Sequence, residues 1–303
     1  MFARFVVFPA SVARTSMIST FRELITPLGE HEFLDLLRNR TLTFRPGLGK
    51  NRFEGLLDWD TLRCLIERNV VPPDKFSVTC NTQLVPSFFY LKNGKVNAAN
   101  LASLIAQGVS LITGPIQSYV PALKALCTDI GTRIGENITA DAVVTSGSGG
   151  ALELHYDAFD LVILQMEGSK RWRIYGPPVI DPIEGMPKQT APENAPLFDE
   201  TLRPGDFLFM PGGFWHHCNN GPKLSLHVAI IMMAPTGWHA VKALLAQLPG
   251  EEIFRVPLTR FGCAAERAAH EAALKARLIE KIGQISVSEL AAVAAKVKPS
   301  EIQ

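Results

Sequence analysis

The spacing of apolar residues changes twice along this chain, which divides it into three regions. Residues 17–140 mix helical and strand-like segments, and residues 141–235 consist of short strand-like runs between Gly, Pro and Asn turns. Residues 236–303 return to helical spacing. Many short strands packed this closely are typical of an antiparallel sandwich or barrel. The pattern therefore predicts a β-rich core preceded by a helical and strand-containing part and followed by a helical tail.

Within these regions the hydrophobic spacing predicts individual elements. Helices are predicted over 17–39, 59–68, 97–107, 120–134, 241–248, 264–282 and 287–296. Strands are predicted over 41–45, 77–82, 88–91, 108–113, 142–145, 152–155, 161–167, 171–175, 206–210 and 224–232. Leu161–Leu164 is apolar at every position, as in a strand that is buried on both faces. Glu167–Lys170 is predicted to form a tight hairpin turn.

Composition narrows the functional classes. The 303 residues are 47% hydrophobic, enough for one large domain or one domain with appendages. The net charge of +1 gives no basic field for nucleic acid, and no apolar run approaches the ~20 residues of a membrane span. The five cysteines are scattered without a CxxC pair, so we expect a reducing, cytoplasmic location.

Residues 1–16 are apolar with two arginines, and three interpretations stay open. A signal peptide would have a longer apolar run than Phe5–Ala10, which is short and is followed by another arginine. The others are an organelle-targeting segment and a non-native upstream start, with the fold beginning at Met17.

Candidate metal ligands occur at two places in the β-rich region. His155 and Asp157 are two residues apart, so on a strand both side chains leave the same face. His216 follows a strand and a Pro/Gly turn. Two histidines and one carboxylate, with coordination positions left open, form the facial triad of non-haem Fe(II) oxygenases. Alone, the first pair has a simpler explanation, since Asp157 can cap a turn and His155 can be a satisfied core histidine.

The residues around these ligands make the metal site more specific. The two motifs, Gly149-x5-His155-x-Asp157 and Gly205-x5-Pro211-x-Gly213-x2-His216-x3-Asn220, resemble those of the cupin superfamily. Many cupins add a glutamate ligand where this chain has Leu161 and Val162, and its absence favours the three-ligand oxygenases. His217 is predicted to point to the opposite face of its strand from His216.

Lys170 begins a strand in which alternation places it on one face with Trp172 and Ile174. A cation beside apolar groups needs an anionic partner, and a metal-bound dicarboxylate offers one at its far end. A surface hairpin lysine explains the spacing equally well.

The segment Leu164–Trp172, preceded by His155-Tyr156-Asp157, resembles the Jumonji C oxygenases. It is closest to their cupin-like subgroup that includes the ribosomal oxygenases. Ile25–Leu34 and Ser225–Val228 resemble that subgroup as well, so the similarity covers roughly residues 20–235.

This resemblance implies a fold, a chemistry and a set of site residues. The fold is a double-stranded β-helix, or cupin jelly roll, within a mainly β chain. The activity is hydroxylation or demethylation with Fe(II), O2 and 2-oxoglutarate, which is converted to succinate and CO2. The resemblance makes His155, Asp157 and His216 the iron ligands, Lys170 the partner of the distal carboxylate of 2-oxoglutarate, and Ser225 a further cosubstrate contact. No catalytic residue beyond the metal ligands is assigned.

Two departures concern the substrate. The ribosomal oxygenases tend to have Asn-x-Tyr where this chain has Asp141-Ala142-Val143. Because a carboxylate beside an anionic cosubstrate is unfavourable, Asp141 is predicted to point elsewhere or to have another role. The tail of about 65 residues is short for both a dimerisation region and a winged-helix domain, so a protein side chain or a peptide-like small molecule is expected as substrate, without a ribosomal protein being implied. The tail helices either pair across a homodimer or cover the barrel.

Three questions stay open at this stage. The aromatic residues near the motifs line a substrate channel or, as is more usual for aromatics in short strands, belong to the core: Tyr156, Trp172, Tyr175, Phe214 and Trp215. A cupin metalloenzyme that does not use 2-oxoglutarate is an alternative function, against which Lys170 argues. A catalytically silent binding module is another, against which the intact triad argues.

Overall fold

The computed structural model describes residues 5–7, 18–26, 28–47, 49–80, 83–147, 153–183, 185–187, 189–221, 223–258, 261–284 and 286. The chain forms two compact units, Met1–Met233 and Ala234–Gln303. No helix in the described ranges is both long and apolar enough to cross a membrane.

The first unit holds fourteen strands and five helices among its described residues. The strands are β1 (Phe5–Val7), β2 (Leu42–Arg45), β3 (Phe76–Cys80), β4 (Gln83–Leu84), β5 (Leu91–Lys92), β6 (Lys95–Val96), β7 (Ser110–Thr113), β8 (Asn137–Thr145), β9 (Asp160–Glu167), β10 (Lys170–Tyr175), β11 (Phe198–Leu202), β12 (Phe207–Met210), β13 (Trp215–Asn220) and β14 (Ser225–Met233). The helices are α1 (Phe21–Ile25), α2 (Glu30–Arg38), α3 (Trp59–Glu67), α4 (Ala98–Ala106) and α5 (Pro121–Ile134). The second unit contains α6 (Gly237–Gln247) and α7 (Ala264–Gly283).

Two sheets form the jelly-roll core of the first unit. The large sheet has nine strands in the order β1-β2-β12-β9-β14-β8-β7-β3-β4, and the small sheet has the order β11-β10-β13. Every pair in these two sheets is antiparallel except β1 with β2. Consecutive strands β9 and β10 lie in different sheets, as do β11 and β12 and also β13 and β14. The chain therefore crosses repeatedly between the sheets, which is how a double-stranded β-helix is built.

The large sheet is buried on both faces, which explains the uninterrupted apolar run in β9. Val162 and Leu164 pack in one core with residues of α1 to α5. Leu161 and Ile163 pack in a second core with Trp172 of the small sheet. Because successive side chains of a strand point to opposite faces, a strand between two cores has no solvent-facing position.

The N-terminal helix prediction needs a correction. Residues 17–39 contain two helices, α1 and α2, instead of one. Thr26 has φ −55° and ψ 135°, an extended conformation, and it precedes a proline in the sequence. A residue before proline is driven away from the helical region by its contact with the proline ring, so α1 ends there.

The predictions for strands and turns were wrong at several points. Phe88–Leu91 is mostly a 3-10 turn over Ser87–Phe89, and β11 was missed because three of its five residues are polar or charged. The turn at Glu167–Lys170 is a corner between the two sheets and not a hairpin, because β9 and β10 do not pair. Gly168 has φ +63° and a Cβ there would overlap the carbonyl oxygen of Leu224, so this corner requires glycine. The predicted helix over 287–296 lies outside the described residues.

The buried position of Leu164 yields a stability prediction. Leu164→Ala removes a side chain that is 0% exposed, and we expect the free energy of unfolding to fall by about 2–5 kcal/mol. Leu84→Ala, at a leucine that is 71% exposed, should change it by less than about 0.5 kcal/mol. Denaturant titration of both variants measures the difference, and equal effects would contradict the two-sided burial of β9.

Candidate metal centre

A cavity of about 170 Å³ opens between the two sheets of the jelly roll. Its wall combines apolar side chains with a group of ionisable ones. The polar and aromatic lining residues are Ser110, Asp141, His155, Asp157, Phe159, Lys170, Trp172, His216, Cys218 and His227. The three candidate metal ligands and Lys170, which are far apart in the sequence, therefore line the same cavity.

Backbone hydrogen bonds fix the His155–Asp157 segment against the start of β13. His155 and His216 exchange N–H···O bonds of 3.1 and 2.7 Å, and Gly213 donates to the carbonyl of Asp157 at 2.8 Å. The prediction of a strand over 152–155 was wrong for its described residues, because His155 forms an isolated bridge with His216. Backbone hydrogen bonds at His155 and Asp157 hold this segment against the start of β13, although no continuous ladder of strand pairing forms.

The turn before His216 explains why its motif contains glycine. Gly213 has φ +86°, and a Cβ at this position would overlap the carbonyl oxygen of Val179. Val179 in turn donates to the carbonyl of Gly213 at 2.9 Å. This tight contact orients the strand that carries His216. Gly149 of the first motif lies outside the described residues.

The ligand atoms of His155, Asp157 and His216 all lie within 4.8 Å of one another. The Nε2 of His216 is 3.6 Å from Oδ2 of Asp157, and the two imidazole centroids are 4.3 Å apart. Two ligands each ~2.1 Å from a common ion are separated by about 3–3.5 Å, so the observed distance is close to that of a shared ion.

Both histidines have their tautomer set by the backbone. The Nδ1 of His155 is 2.7 Å from the carbonyl of Glu153, and that of His216 is 3.0 Å from the carbonyl of Phe214. A carbonyl only accepts, so each Nδ1 carries the hydrogen and each Nε2 keeps its lone pair for a metal. Burial lowers the pKa of His216 to about 4, more than the neighbouring Asp157 raises it, so this imidazole is neutral at physiological pH.

The donor set fits a divalent transition metal. Two imidazoles and one carboxylate on the wall of an open cavity leave coordination positions for other molecules. Hydrogen bonds from the outer ring nitrogens to backbone carbonyls are typical of metal-binding histidines. Among the described residues this is the one group of three such side chains close enough to share an ion.

His217 lies on the other face of β13. Its ring nitrogen is 3.3 Å from the guanidinium of Arg173, and its ring stacks on Tyr175 at 5.6 Å. It is absent from the cavity wall. Alternation along the strand therefore separates His217 from its neighbour His216, as the sequence predicts.

Lys170 is a buried cation that faces the cavity. Its side chain is 5% exposed, and it makes no hydrogen bond or ion pair with the described residues. Burial lowers the pKa of its ammonium group because the charged form loses its hydration. The surface position considered for this lysine is excluded, and its location calls for an anion in the cavity.

Ser225 is fully buried beside this region but does not line the cavity. Its hydroxyl accepts a hydrogen bond of 2.9 Å from Nε2 of Gln165. His227, two residues further on the same face of β14, does line the cavity. The role of Ser225 in cosubstrate binding stays a prediction.

Strand alternation predicts the positions of two cavity residues, Cys218 and His227, to which no role was assigned. Cys218 is two residues after His216, and His227 is two residues after Ser225, so alternation places each on the cavity side. Desolvation in the cavity raises the pKa of the Cys218 thiol to about 12. Trp172 both lines the cavity and belongs to the core, stacking on His216 at 5.9 Å, whereas Phe214 belongs to the core alone.

Asp141 was predicted to point elsewhere or to have another role, and the first of these alternatives is wrong. Its carboxylate lines the cavity, because Ala140 and Ala142 on either side of it face the helix-side core. Burial and then the neighbouring Asp157 raise the pKa of Asp141 to about 6, so the group is mainly ionised above neutral pH. The direction of the Asp141 side chain follows from the alternation of side chains along β8, and the electrostatic cost of burying its carboxylate does not change it.

Comparisons with known proteins agree with this architecture. Residues 124–239 match the family model described as JmjC domain. A bifunctional lysine-specific demethylase and histidyl-hydroxylase NO66 of Drosophila mojavensis is 33% identical over 119 residues, covering 37% of this chain and 13% of the relative. Ribosomal oxygenase 1 of Rattus norvegicus is 29% identical over 171 residues, covering 52% and 28%. The chain thus spans less than a third of the length of either relative.

Solved structures share the fold. YcfD, a ribosomal oxygenase from Escherichia coli in complex with cobalt and 2-oxoglutarate, superimposes with a TM-score of 0.51 and 19% identity, covering 82% of this chain and 68% of that chain. The domain match includes most of α5, the strands β8 to β14 and both ligand motifs. Residues 124–239 of this chain are therefore similar to the JmjC domain family.

Proposed function

We propose that this chain is an Fe(II)- and 2-oxoglutarate-dependent oxygenase that hydroxylates or demethylates a protein side chain or a peptide-like small molecule. The observation that carries the proposal is a cavity with a three-ligand metal site at one end and an unpaired buried cation, Lys170, towards the other. This combination suits an anion that binds the metal and the lysine together.

The strand register gives the distance between these two parts. In the small sheet Ile174 lies opposite His216, and Lys170 lies opposite Asn220. Lys170 is therefore four residues, or roughly 13 Å of strand, from the level of the metal site. The long side chain of Lys170 and an extended dicarboxylate together suit this separation.

Buried polar atoms without partners support an anionic occupant. The indole Nε1 of Trp172 makes no hydrogen bond in the described part of the chain, and neither does Nδ1 of His227. Both side chains line the cavity. Since buried polar groups normally have partners, carboxylate oxygens of 2-oxoglutarate are suitable acceptors for Trp172 and Lys170.

Each part of the proposed reaction can be assigned to residues of the cavity. His155, Asp157 and His216 would hold Fe(II), and Lys170 would pair with the distal carboxylate of 2-oxoglutarate. The bound iron, with O2 and 2-oxoglutarate, would supply the oxidising chemistry that puts one oxygen atom into a substrate C–H bond and the other into succinate, with release of CO2. Trp172 and the apolar wall keep water from the reacting atoms. No side chain has to accept or donate a proton.

Protein substrates are supported by the relatives, which include a histidyl-hydroxylase and a ribosomal oxygenase. A homodimer through the C-terminal helices and a cytoplasmic location remain predictions from the sequence.

Succinate release with Fe(II), 2-oxoglutarate and a pool of candidate peptides tests the activity, together with a search for +16 products. Metal binding without 2-oxoglutarate binding would favour the alternative of a cupin metalloenzyme that does not use this cosubstrate.

The metal site yields a prediction with a neighbouring control. His216→Ala removes a neutral imidazole ligand, and we expect the affinity for Co(II), measured spectroscopically under nitrogen, to fall by at least about tenfold to 100-fold. His217→Ala should bind Co(II) nearly as the wild type does, because His217 lies outside the cavity. Equal losses in both variants would contradict the assignment of ligands.

Lys170 yields a prediction in which stability and binding change in opposite directions. Lys170→Met removes a buried cation without a partner, so we expect the ligand-free protein to gain about 1 kcal/mol or more in free energy of unfolding. The same variant should bind 2-oxoglutarate about tenfold to 100-fold more weakly, because the distal carboxylate loses its charged partner. Because burial lowers the pKa of Lys170 in the folded state, the gain should be full below that lowered pKa, shrink as the pH rises from it to the ordinary lysine range, and vanish above that range.

Denaturant titration and calorimetric titration with 2-oxoglutarate measure the two effects. Arg171→Met is the control, since Arg171 lies on the exposed face of the same strand and pairs with Asp199 at 2.6 Å. Unchanged 2-oxoglutarate affinity in Lys170→Met would argue against the cosubstrate role.

A further inference from the structure

Two charged side chains that are absent from the cavity wall hold the turn Pro211–Phe214, which leads into His216. The N–H of Gly212 donates to Oδ1 of Asp160 at 2.7 Å, and Nη2 of Arg40 donates to the carbonyl of Gly212 at 2.6 Å. Asp160 is the first residue of β9, and Arg40 lies between α2 and β2. Because Gly212 is buried, its two polar groups need partners inside the protein, and these charged side chains supply them.

The carbonyls of this turn connect Gly212 to the metal ligand. Three successive carbonyls accept hydrogen bonds from three different parts of the molecule. The pairs are Gly212 with Arg40, Gly213 with the N–H of Val179, and Phe214 with Nδ1 of His216. The carbonyl of Phe214 sets the tautomer and the orientation of the imidazole. A rotation of the turn at Gly212 would therefore move an acceptor of the ligand that lies only two residues further on.

Gly212 also packs on the segment that follows Asp157. A Cβ at Gly212 would lie 3.1 Å from the backbone N and O of Phe159 and 3.2 Å from the carbonyl carbon of Ala158. Glycine therefore allows the turn to approach this segment more closely than a residue with a side chain could. Gly212 lies between the two stretches of chain that carry metal ligands, one with Asp157 and one with His216.

Arg40 has an uncommon backbone conformation. Its φ is +49°, in the left-handed region that residues other than glycine seldom occupy, and its partner Asp181 has φ +41°. Such conformations persist where the surrounding structure requires them, and they are frequent at functional sites. The Arg40–Asp181 pair is 3.3 Å long, and its carboxylate is 80% exposed, so it contributes little to stability. The bond to Gly212 is the better-shielded contact of this guanidinium.

A direct role as metal ligand does not fit either residue. The described side chains whose ligand atoms come close enough to share an ion are His155, Asp157 and His216, and Asp160 is not among them. A guanidinium has donors only and cannot bind a metal ion. An effect of both residues on the metal centre must therefore pass through Gly212.

We propose that Arg40 and Asp160 are positioning residues of the metal centre. They bind the two polar groups of Gly212 and so keep the carbonyl of Phe214 on Nδ1 of His216, which directs Nε2 of that ring to the ion. This inference rests on the proposed function, because it extends the metal site on which that function depends. The loss of outer partners of this kind typically weakens metal binding about tenfold to 100-fold.

The first test is Co(II) binding by the full chain under nitrogen, followed by visible absorption. Arg40→Met removes the donor to the carbonyl of Gly212, and Asp160→Ala removes the acceptor of its N–H. We expect each variant to bind Co(II) about tenfold or more weakly and to change the d–d bands of the bound ion, because His216 is no longer held in one orientation.

The controls separate the contacts with Gly212 from other effects. Asp160→Asn keeps an acceptor for its N–H and should stay within about threefold of the wild-type affinity. Arg38→Met, at an exposed position of α2, and Asp181→Asn, which removes the exposed partner of Arg40, should bind Co(II) nearly as the wild type does. Denaturant titration shows that each variant is folded. Arg40→Lys and Asp160→Ser, with the same expected direction, replace a variant that does not fold.

A second readout needs no metal. In metal-free protein labelled with 15N-histidine, the ring of His216 should carry its hydrogen on Nδ1, with the signal assigned from His216→Gln. We expect Arg40→Met and Asp160→Ala to show a mixture of tautomers. A general loss of stability would leave the folded fraction with one tautomer, so this measurement distinguishes a positioning role from a merely structural one.

The two readouts also separate this inference from the proposed function. Wild-type Co(II) affinity and spectrum together with a single His216 tautomer, in both Arg40→Met and Asp160→Ala, would overturn the role of these residues alone. Absence of Co(II) binding by the wild type counts against the oxygenase function. The tautomer of His216 in metal-free protein still tests Arg40 and Asp160 in that case.

Discussion

The large sheet packs against a hydrophobic core on each of its two faces, and the rest of this structure depends on that constraint. Each of its central strands sends alternate side chains to the helices of the N-terminal part and to the space between the two sheets. A shift of one residue in β8, β9 or β14 would exchange the two sets of side chains. The same alternation that fills the helix-side core with Ala140, Ala142 and Val144 therefore places Asp141 in the cavity.

The cavity is costly to maintain in the ligand-free protein. It contains a buried ammonium group at Lys170, a carboxylate at Asp141 and buried ring nitrogens of Trp172 and His227 without partners among the described residues. Such groups reduce folding stability unless a ligand pairs with them. The apolar packing on both faces of the sheet offsets this cost, so the barrel can present unpaired polar atoms to a metal, a cosubstrate and a substrate.

Much of the site was predictable because its elements are local. His155 and Asp157 are two residues apart, and the turn before His216 requires the glycine at 213. Lys170 shares a face with two apolar residues of its strand. Cys218 and His227 were predictable by the same alternation, although no role was assigned to them. The expectation that Asp141 points elsewhere was wrong, because the alternation of side chains along β8 outweighs the electrostatic cost of a carboxylate near an anionic ligand. Among the fold elements, β11 was missed because its polar residues hide a strand that only pairing with β10 stabilises.

The sequence by itself determined the fold class, the ligand types and the faces of most strands, since these follow from spacing over a few residues. The tertiary structure decided which of these faces meet. It turned the expected hairpin at Gly168 into a corner, because β9 and β10 pair with strands that lie far away in the sequence. It joined the His155 segment to β13 through backbone bonds, and it brought Asp141 and Lys170 to the wall of one cavity. Spacing within a segment cannot determine such distances, because they depend on pairing between segments that lie far apart in the sequence.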